Sequence, residues 1–318
     1  MEILKLKPAL KDYLWGGNKL KTIYNKESNW DIVAESWELS AHKDGLSTIE
    51  NGEFAGLTLD KYLERMGNKV IGKEYIKDRF PILNKIIDAN QSLSIQVHPE
   101  DKYANENEND NGKTEMWYII DAEPGAYLYY GVKEKVAKEE FKEVIEDGTL
   151  LDKLNKVTVH KGDVFFIEAG TIHAIGEGIL IYEVQQSSNV TYRVYDYKRK
   201  DKDGNERELH IEKALEVSNL KPNGEYNFND ENNINSSLTR LAKSKYFDVL
   251  KGQVDDWSYT ITDESFHAIT FLEGNGEILT HGPSYKYEKG DTFFIPANNN
   301  EYKISGTGEF ILSRLPIE

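Results

Sequence analysis

The chain has 318 residues, 39% of them hydrophobic and 11% aromatic, enough to bury a substantial core as one large domain or two modest ones. Its formal net charge of −16 repels a phosphate backbone or an anionic bilayer, so neither nucleic acid nor membrane is an expected partner. The absence of cysteine removes disulfides and thiolate ligands, leaving any metal to His, Asp, Glu and Gln.

The amino terminus, MEILKLKPALKDYLWGG, lacks the continuous apolar stretch of a signal peptide, and no run is long enough to span a bilayer. A cytoplasmic protein is expected. A first helical stretch is predicted from Thr58-Leu59-Asp60 through Tyr62, Leu63 and Met66 toward Ile76, Ile82, Ile86 and Ile87, broken near Gly67 and Pro81. After it come the strands LSIQVHP, MWYIIDAE and AYLYYGV, with the hydrophilic loop DKYANENENDNGK between the first two. A second helical stretch, Lys133 to Lys156, carries Val136, Phe141, Val144 and Ile145 and resumes after Asp147-Gly148 with Leu150, Leu151 and Leu154. Strands DVFFIEAG and ILIYEVQQ and a short helix over Ile211 to Val217 complete the first part.

The Asn-rich segment Lys221 to Ser237, polar and without period, reads as a linker. Beyond it lie the strands HAITFLEG, DTFFIPAN and FILSRL. Nineteen Tyr and twelve Phe beside 24 Gly suit pleated surfaces and tight corners, which points to closed barrels or jelly rolls. The expected fold is mainly β, two barrels over 1–235 and 236–318, with helical insertions at approximately 57–90 and 133–156. An internal repeat supports two barrels: VHKGDVFFIEAGTIH (159–173) and YEKGDTFFIPANNNE (287–301) match at Lys-Gly-Asp, Phe-Phe-Ile and Ala without a gap. Setting Asp121 against Glu273 places Glu115 opposite His267, and the first register places His173 opposite Glu301.

Gln96 and His98 stand two apart on a predicted strand and project from one face. Glu115 opens the strand after the hydrophilic loop, and His173 lies on the turn AGTIHAIG after DVFFIEA. Four donors from neighbouring strands can converge on a cation, and two His with Gln and Glu form an N/O-rich set that suits Zn²⁺, with Fe²⁺, Mn²⁺ or Co²⁺ as alternatives. The second copy lacks the set. His42, His160, His210, His267 and His281 have no such company and are read as surface or structural.

Together with WGG at Trp15 to Gly17, AESWELS at Ala34 to Ser40, SIQVHP at Ser94 to Pro99, GKTEMWYI at Gly112 to Ile119, AGTIHAI at Ala169 to Ile175 and EVQQSSNVTYRVYDY at Glu183 to Tyr197, these residues make the chain resemble the class I mannose-6-phosphate isomerases of the cupin superfamily. The resemblance is to the short bacterial form, without the large helical insertion and extra domain of longer members. It implies cupin barrels, one zinc ion on Gln96, His98, Glu115 and His173, and active-site roles for Lys113, Glu183 and Arg193. It further implies interconversion of mannose 6-phosphate and fructose 6-phosphate through an enediolate whose charge the metal stabilises.

Within that scheme Glu183 is the candidate to shuttle the proton between C1 and C2. Arg193 is the candidate to bind the substrate's phosphate through two parallel hydrogen bonds. Lys113, two residues before Glu115, is placed to reach a sugar hydroxyl or the phosphate. Trp15, Trp30 and Trp37 are candidates to face the sugar, and Ser36 to donate to phosphate. The stretch RVYDYKRKDKDGNERELH, whose Lys and Arg are nearly offset by Asp and Glu, is read as a solvated hairpin turning at Asp203-Gly204 rather than a binding patch. A metal-dependent cupin oxygenase and a non-catalytic sugar-binding cupin are the alternative readings. The charged pair Lys113 and Arg193 argues against an apolar oxygenase substrate.

Overall fold

Strands carry the chain, as aromatic and β-branched content leads one to expect. The computed structural model describes residues 1–76, 79–200, 203–224, 233–235, 237–254 and 257–317. Within these residues the strands form sheets of six, five and ten strands and a two-stranded ribbon. The six-stranded sheet runs in the order Val164–Ile167, Glu115–Ala122, Ile179–Gln186, Ile82–Ala89, Glu35–Leu39, Ala9–Lys11. The five-stranded sheet runs Leu154–Thr158, Tyr127–Val132, His173–Ile175, Ile95–Val97, Tyr192–Tyr195. The two sheets close on a core that includes Trp15, Ile87, Trp117, Ile119, Leu128, Phe165 and Ile181.

The ten-stranded sheet builds a second barrel around Phe271, Phe293, Phe310, Tyr287 and Tyr302. The segment Leu4–Lys7 belongs to it, pairing antiparallel with Thr292–Ile295. Because successive side chains on a strand point to opposite faces, the six-stranded sheet serves both barrels. Trp117, Ile119 and Ile181 face the first interior, while Met116, Tyr118, Ile86, Tyr182 and Val184 pack with Phe266, Ala268, Leu272 and Phe294 of the second.

This double burial overturns one expectation. Ile82–Ala89 is not helical but a central strand, buried at all eight residues. A strand covered on both faces shows no period-2 alternation, so its apolar run mimics a helix. The helical part of that stretch ends early, with Leu59–Met66 and the 3₁₀ turn Asn68–Val70. The second stretch is helical over Lys138–Glu146 and Leu150–Lys153 and turns into strand at Leu154. Phe141, Ile145 and Leu150 from this insertion and Ala214 and Leu215 of the helix Ile211–Val217 pack with Ile95, Val97 and Val194 of the five-stranded sheet. The hydrophilic loop after His98 contains a helix, Asp101–Asn107, that its polar composition hid.

The repeat is structural. In each copy a Gly with positive φ, Gly162 at 94° and Gly290 at 92°, sits in the left-handed region that favours glycine. The Asp that follows accepts from a backbone N–H three residues before it, Asp163 from His160 at 2.8 Å and Asp291 from Glu288 at 2.9 Å. Each turn launches a strand in matching register, Ile167 opposite Glu115 and Ile295 opposite His267. The second copy thus presents a histidine where the first presents a carboxylate. His267 is buried and bonded to the Tyr302 hydroxyl at 2.7 Å. Of the expected linker, residues 225–232 and 236 lie outside the described residues, while Asn233–Asn235 pairs with Leu238–Lys243.

Candidate metal centre and catalytic pocket

His173 and Gln96 face each other across adjacent strands, and Arg193 lies opposite Gln96 on its other side. Glu115 reaches the same point from the six-stranded sheet. Among the described residues, one donor atom each from His98, Glu115 and His173 lies within 4.8 Å of the others, and all three side chains are buried. The Nδ1 of His98 is 2.8 Å from the carbonyl of Val190, and that of His173 is 2.9 Å from the carbonyl of Thr171. A carbonyl only accepts, so both Nδ1 atoms carry the proton and each Nε2 keeps its lone pair, that of His98 being approached by the Lys113 ammonium at 3.2 Å.

Burial, then Lys113 and the neighbouring His173, hold His98 well below the ordinary imidazole range; burial takes His173 down to about 4. Both are therefore neutral at physiological pH, the state a metal requires. Burial also pushes Glu115 up to about 8, against the pull of Lys113. The Lys113 ammonium is 2.8 Å from Glu115 Oε2 and 3.2 Å from His98 Nε2, yet neither Glu115 oxygen has a well-aligned hydrogen-bond donor. A fully buried carboxylate that pairs with Lys113 through Oε2 and leaves Oε1 without a hydrogen bond among the described residues, set between two imidazole lone pairs, fits a divalent cation. Gln96 lies alongside with Nε2 3.5 Å from His173 Nε2; turning its amide over would present the oxygen instead.

The cluster opens onto a cavity of about 260 Å³ lined by Gln96, Lys113, Glu183 and Arg193. Glu183 is buried, with Oε1 3.0 Å from Lys85 and 3.9 Å from Lys113, and Oε2 accepting from the Trp117 indole at 2.9 Å. Burial opposes its ionisation, but the two lysines outweigh it and hold the carboxyl down to about 2. Arg193 donates through Nε to Ser94 at 3.2 Å and through Nη1 to the Glu208 carbonyl at 3.0 Å.

Three charged residues of the pocket, Lys85, Glu35 and Arg207, were not among those expected from the sequence. Lys85, the lone cation of the buried strand Ile82–Ala89, stands between Glu183 and Glu35, 3.6 Å from the latter. Glu35 in turn accepts from the Trp37 indole at 2.7 Å. A single lysine in the Ile-rich run ILNKIIDA was the available signal for Lys85. Of the tryptophans, Trp15 lines the cavity, Trp37 is buried beneath it and Trp30 is exposed. Ser36 faces the other way and donates to Glu38 at 2.6 Å in the contact between barrels, so it does not reach the pocket. A larger groove of about 840 Å³, lined by Tyr75, Asp101, Tyr246 and Leu315, lies away from the cluster and holds none of the candidate site residues.

A jelly roll with histidines and a carboxylate converging inside it, beside a pocket of buried lysines and carboxylates, defines a cupin built for polar, charged chemistry. The model of the type I phosphomannose isomerase catalytic domain matches residues 3–148, and that of the mannose-6-phosphate isomerase cupin domain matches 237–315. The chain is 39% identical over 317 residues to mannose-6-phosphate isomerase ManA of Bacillus subtilis, covering 99% of each chain. It is 37% identical over 318 residues to the mannose-6-phosphate isomerase of Streptococcus mutans, covering 98% of each. The crystal structure of the mannose 6-phosphate isomerase from Bacillus subtilis superposes with a TM-score of 0.91 at 34% identity, covering 98% of this chain and 99% of that one. The chain belongs to the type I phosphomannose isomerase family. The fold is two cupin-type barrels, and the oxygenase and non-catalytic sugar-binding readings are not favoured.

Proposed function

We propose that this enzyme interconverts D-mannose 6-phosphate and D-fructose 6-phosphate in the cytoplasm, with Gln96, His98, Glu115 and His173 holding one Zn²⁺. The observation that carries the site assignment is the buried Glu115 carboxylate, its Oε1 without a hydrogen bond among the described residues, between two neutral imidazoles at the edge of a lysine- and arginine-lined cavity. When bound, the metal supplies Lewis-acid stabilisation of the charge that develops on the sugar oxygens. Lys113 adds a fixed positive charge from the chain itself. Glu183, ionised at neutral pH, is in the state a base needs to move the proton between C2 and C1. The lysines that keep it ionised also make it weak, so substrate oxygens that draw Lys113 to themselves raise its basicity. Lys85, fixed between two carboxylates, orients Glu183. Arg193 binds the phosphate end.

The test is a coupled assay for the two sugar phosphates with and without a chelator. Turnover that survives complete metal removal would sink the mechanism. In the same assay Glu183→Gln is expected to lower kcat by about 10²–10⁴ with metal content unchanged; a kcat within twofold of wild type would remove Glu183 as the base.

We also propose the division into 1–235 and 236–318, with Leu4–Lys7 reaching across to the second barrel. Fragments cut at that boundary and co-expressed should reassemble into active enzyme. Failure of this boundary, with a neighbouring cut succeeding, would move it.

A further inference from the structure

We infer that the substrate's phosphate is gripped by two guanidinium groups, Arg193 and Arg207, and that Asp196 is the positioning residue that aims the second of them. The inference deepens the isomerase reading and rests on it. Arg207 lies on the stretch read from sequence as a solvated hairpin. Lys200 and Glu206 form an antiparallel bridge and Gly204 has φ 84°; residues 201–202 lie outside the described residues. Arg207 nevertheless lines the same cavity as Arg193, Ser94 and Thr191.

The hydrogen bonding shows how Arg207 is aimed. Its Nε and Nη2 donate to the two oxygens of Asp196 at 2.7 and 2.6 Å, a forked pairing that fixes the guanidinium plane and leaves Nη1 without a hydrogen-bond partner among the described residues. Arg193 has Nε and Nη1 engaged by Ser94 and the Glu208 carbonyl, leaving Nη2 without one among the same residues. Arg199 completes the Asp196 cluster, but its nitrogens are committed to Asp196 and to the Ser92 carbonyl, and it does not line the cavity.

Charge accounting points to a dianion. Asp196 neutralises one of its two arginine partners, so the Asp196, Arg199 and Arg207 cluster keeps one positive charge and Arg193 adds another. The cavity's carboxylates do not serve either arginine, since Glu35 and Glu183 are bound to Lys85 and to indole N–H groups. Burial and the nearby Arg207 both depress Arg193, the mark of two cations facing one space. A phosphate monoester carries close to two negative charges at neutral pH and accepts through three oxygens. The position is also suitable for the reaction, because Arg193 lies directly opposite Gln96 on the neighbouring strand, and Gln96 and Lys113, which adjoin the metal cluster, line the same cavity as the two arginines.

The experiment compares Arg207→Leu, Arg207→Lys and Asp196→Asn with wild type, reading KM for mannose 6-phosphate, Ki for inorganic phosphate as a competitive inhibitor, kcat and bound metal. Arg207→Leu is expected to raise KM and Ki together by about 10- to 100-fold, with kcat changed less than about threefold and metal content unchanged. Arg207→Lys, which keeps the charge and loses the fork, should fall between, and Asp196→Asn should shift both constants the same way. KM and Ki within twofold of wild type in Arg207→Lys and in whichever other variant folds would overturn the clamp, as would a loss confined to kcat. If wild type itself shows no turnover, the isomerase reading fails instead. The clamp is then judged by calorimetric binding of inorganic phosphate to wild type and Arg207→Lys, where equal affinity refutes it.

Discussion

Replacing His173 with alanine is expected to abolish metal retention and isomerisation together while leaving the barrel folded. The side chain sits on the short strand His173–Ile175, its Nδ1–H bonded to the Thr171 carbonyl and its Nε2 3.3 Å from Glu115. Removing the ring takes away one of the clustered donors and leaves Glu115 and His98 without their neighbour. Loss of a ligand from a set this small should lower metal affinity by well over the roughly 10–100-fold typical of losing an outer hydrogen-bond partner to a ligand. Turnover should fall by at least about 10³, since the proposed metal would supply the main charge stabilisation. Metal content after dialysis, measured with circular dichroism to confirm folding, is the check. A folded His173→Ala protein that keeps stoichiometric metal would show that the cluster is not the metal site.

That cluster was legible because each of its members announces itself. Gln96 and His98 stand two apart in a strand-like run, Glu115 follows a polar stretch, and His173 ends the repeated segment 159–173 whose copy at 287–301 has Glu301 in its place. The repeat also carried true register, with Glu115 and His267 at equivalent places in the two barrels. What stayed hidden depends on tertiary context. Lys85 and Glu35 belong to a sheet whose reverse face is buried against the second barrel, so Ile82–Ala89 lost the alternation that marks a strand and its lysine lost its apparent orientation. The backs of the same strands explain the second barrel's place. Asn84 donates to Ser313 at 2.6 Å, Tyr182 bonds Thr270 at 2.7 Å, and Glu38 is held by Lys26, Ser36 and Thr292. Asn84, Tyr182 and Glu38 each share a strand with a pocket residue, Lys85, Glu183 and Glu35, a relation no local pattern reveals. Arg207 was masked differently, by the near-neutral charge of its segment, which says nothing of where one guanidinium points.

The pocket's buried charges make Lys85→Met the substitution with the largest expected cost to folding. Lys85 is 5% exposed and holds Glu183 at 3.0 Å and Glu35 at 3.6 Å, with its ammonium 5.1 Å from the Trp37 ring centroid. A methionine of similar length fills the space but leaves two buried carboxylates with one fewer cation, a change that typically costs about 3–5 kcal/mol. The pH dependence follows from the direction of the shift. In the wild type Glu183 is depressed to about 2, so its contribution to stability is present above the ordinary carboxyl range and is lost as pH falls toward that value. Without Lys85 only Lys113 is left to oppose the effect of burial, so the Glu183 pKa rises from its depressed value. The variant's deficit should therefore be smallest in acid, where protonation removes the carboxylate in both proteins, and should grow as pH rises toward the variant's raised folded pKa. Urea denaturation of both proteins across that range, each saturated with metal, measures it directly. A Lys85→Met protein as stable as wild type at pH 8, or one whose deficit shrinks with rising pH, would show that Glu183 finds its counter-charge elsewhere. Activity adds a second readout, because the charge that steadies Glu183 in the folded protein also fixes the carboxylate proposed to move the proton, so kcat should fall even where the variant remains fully folded.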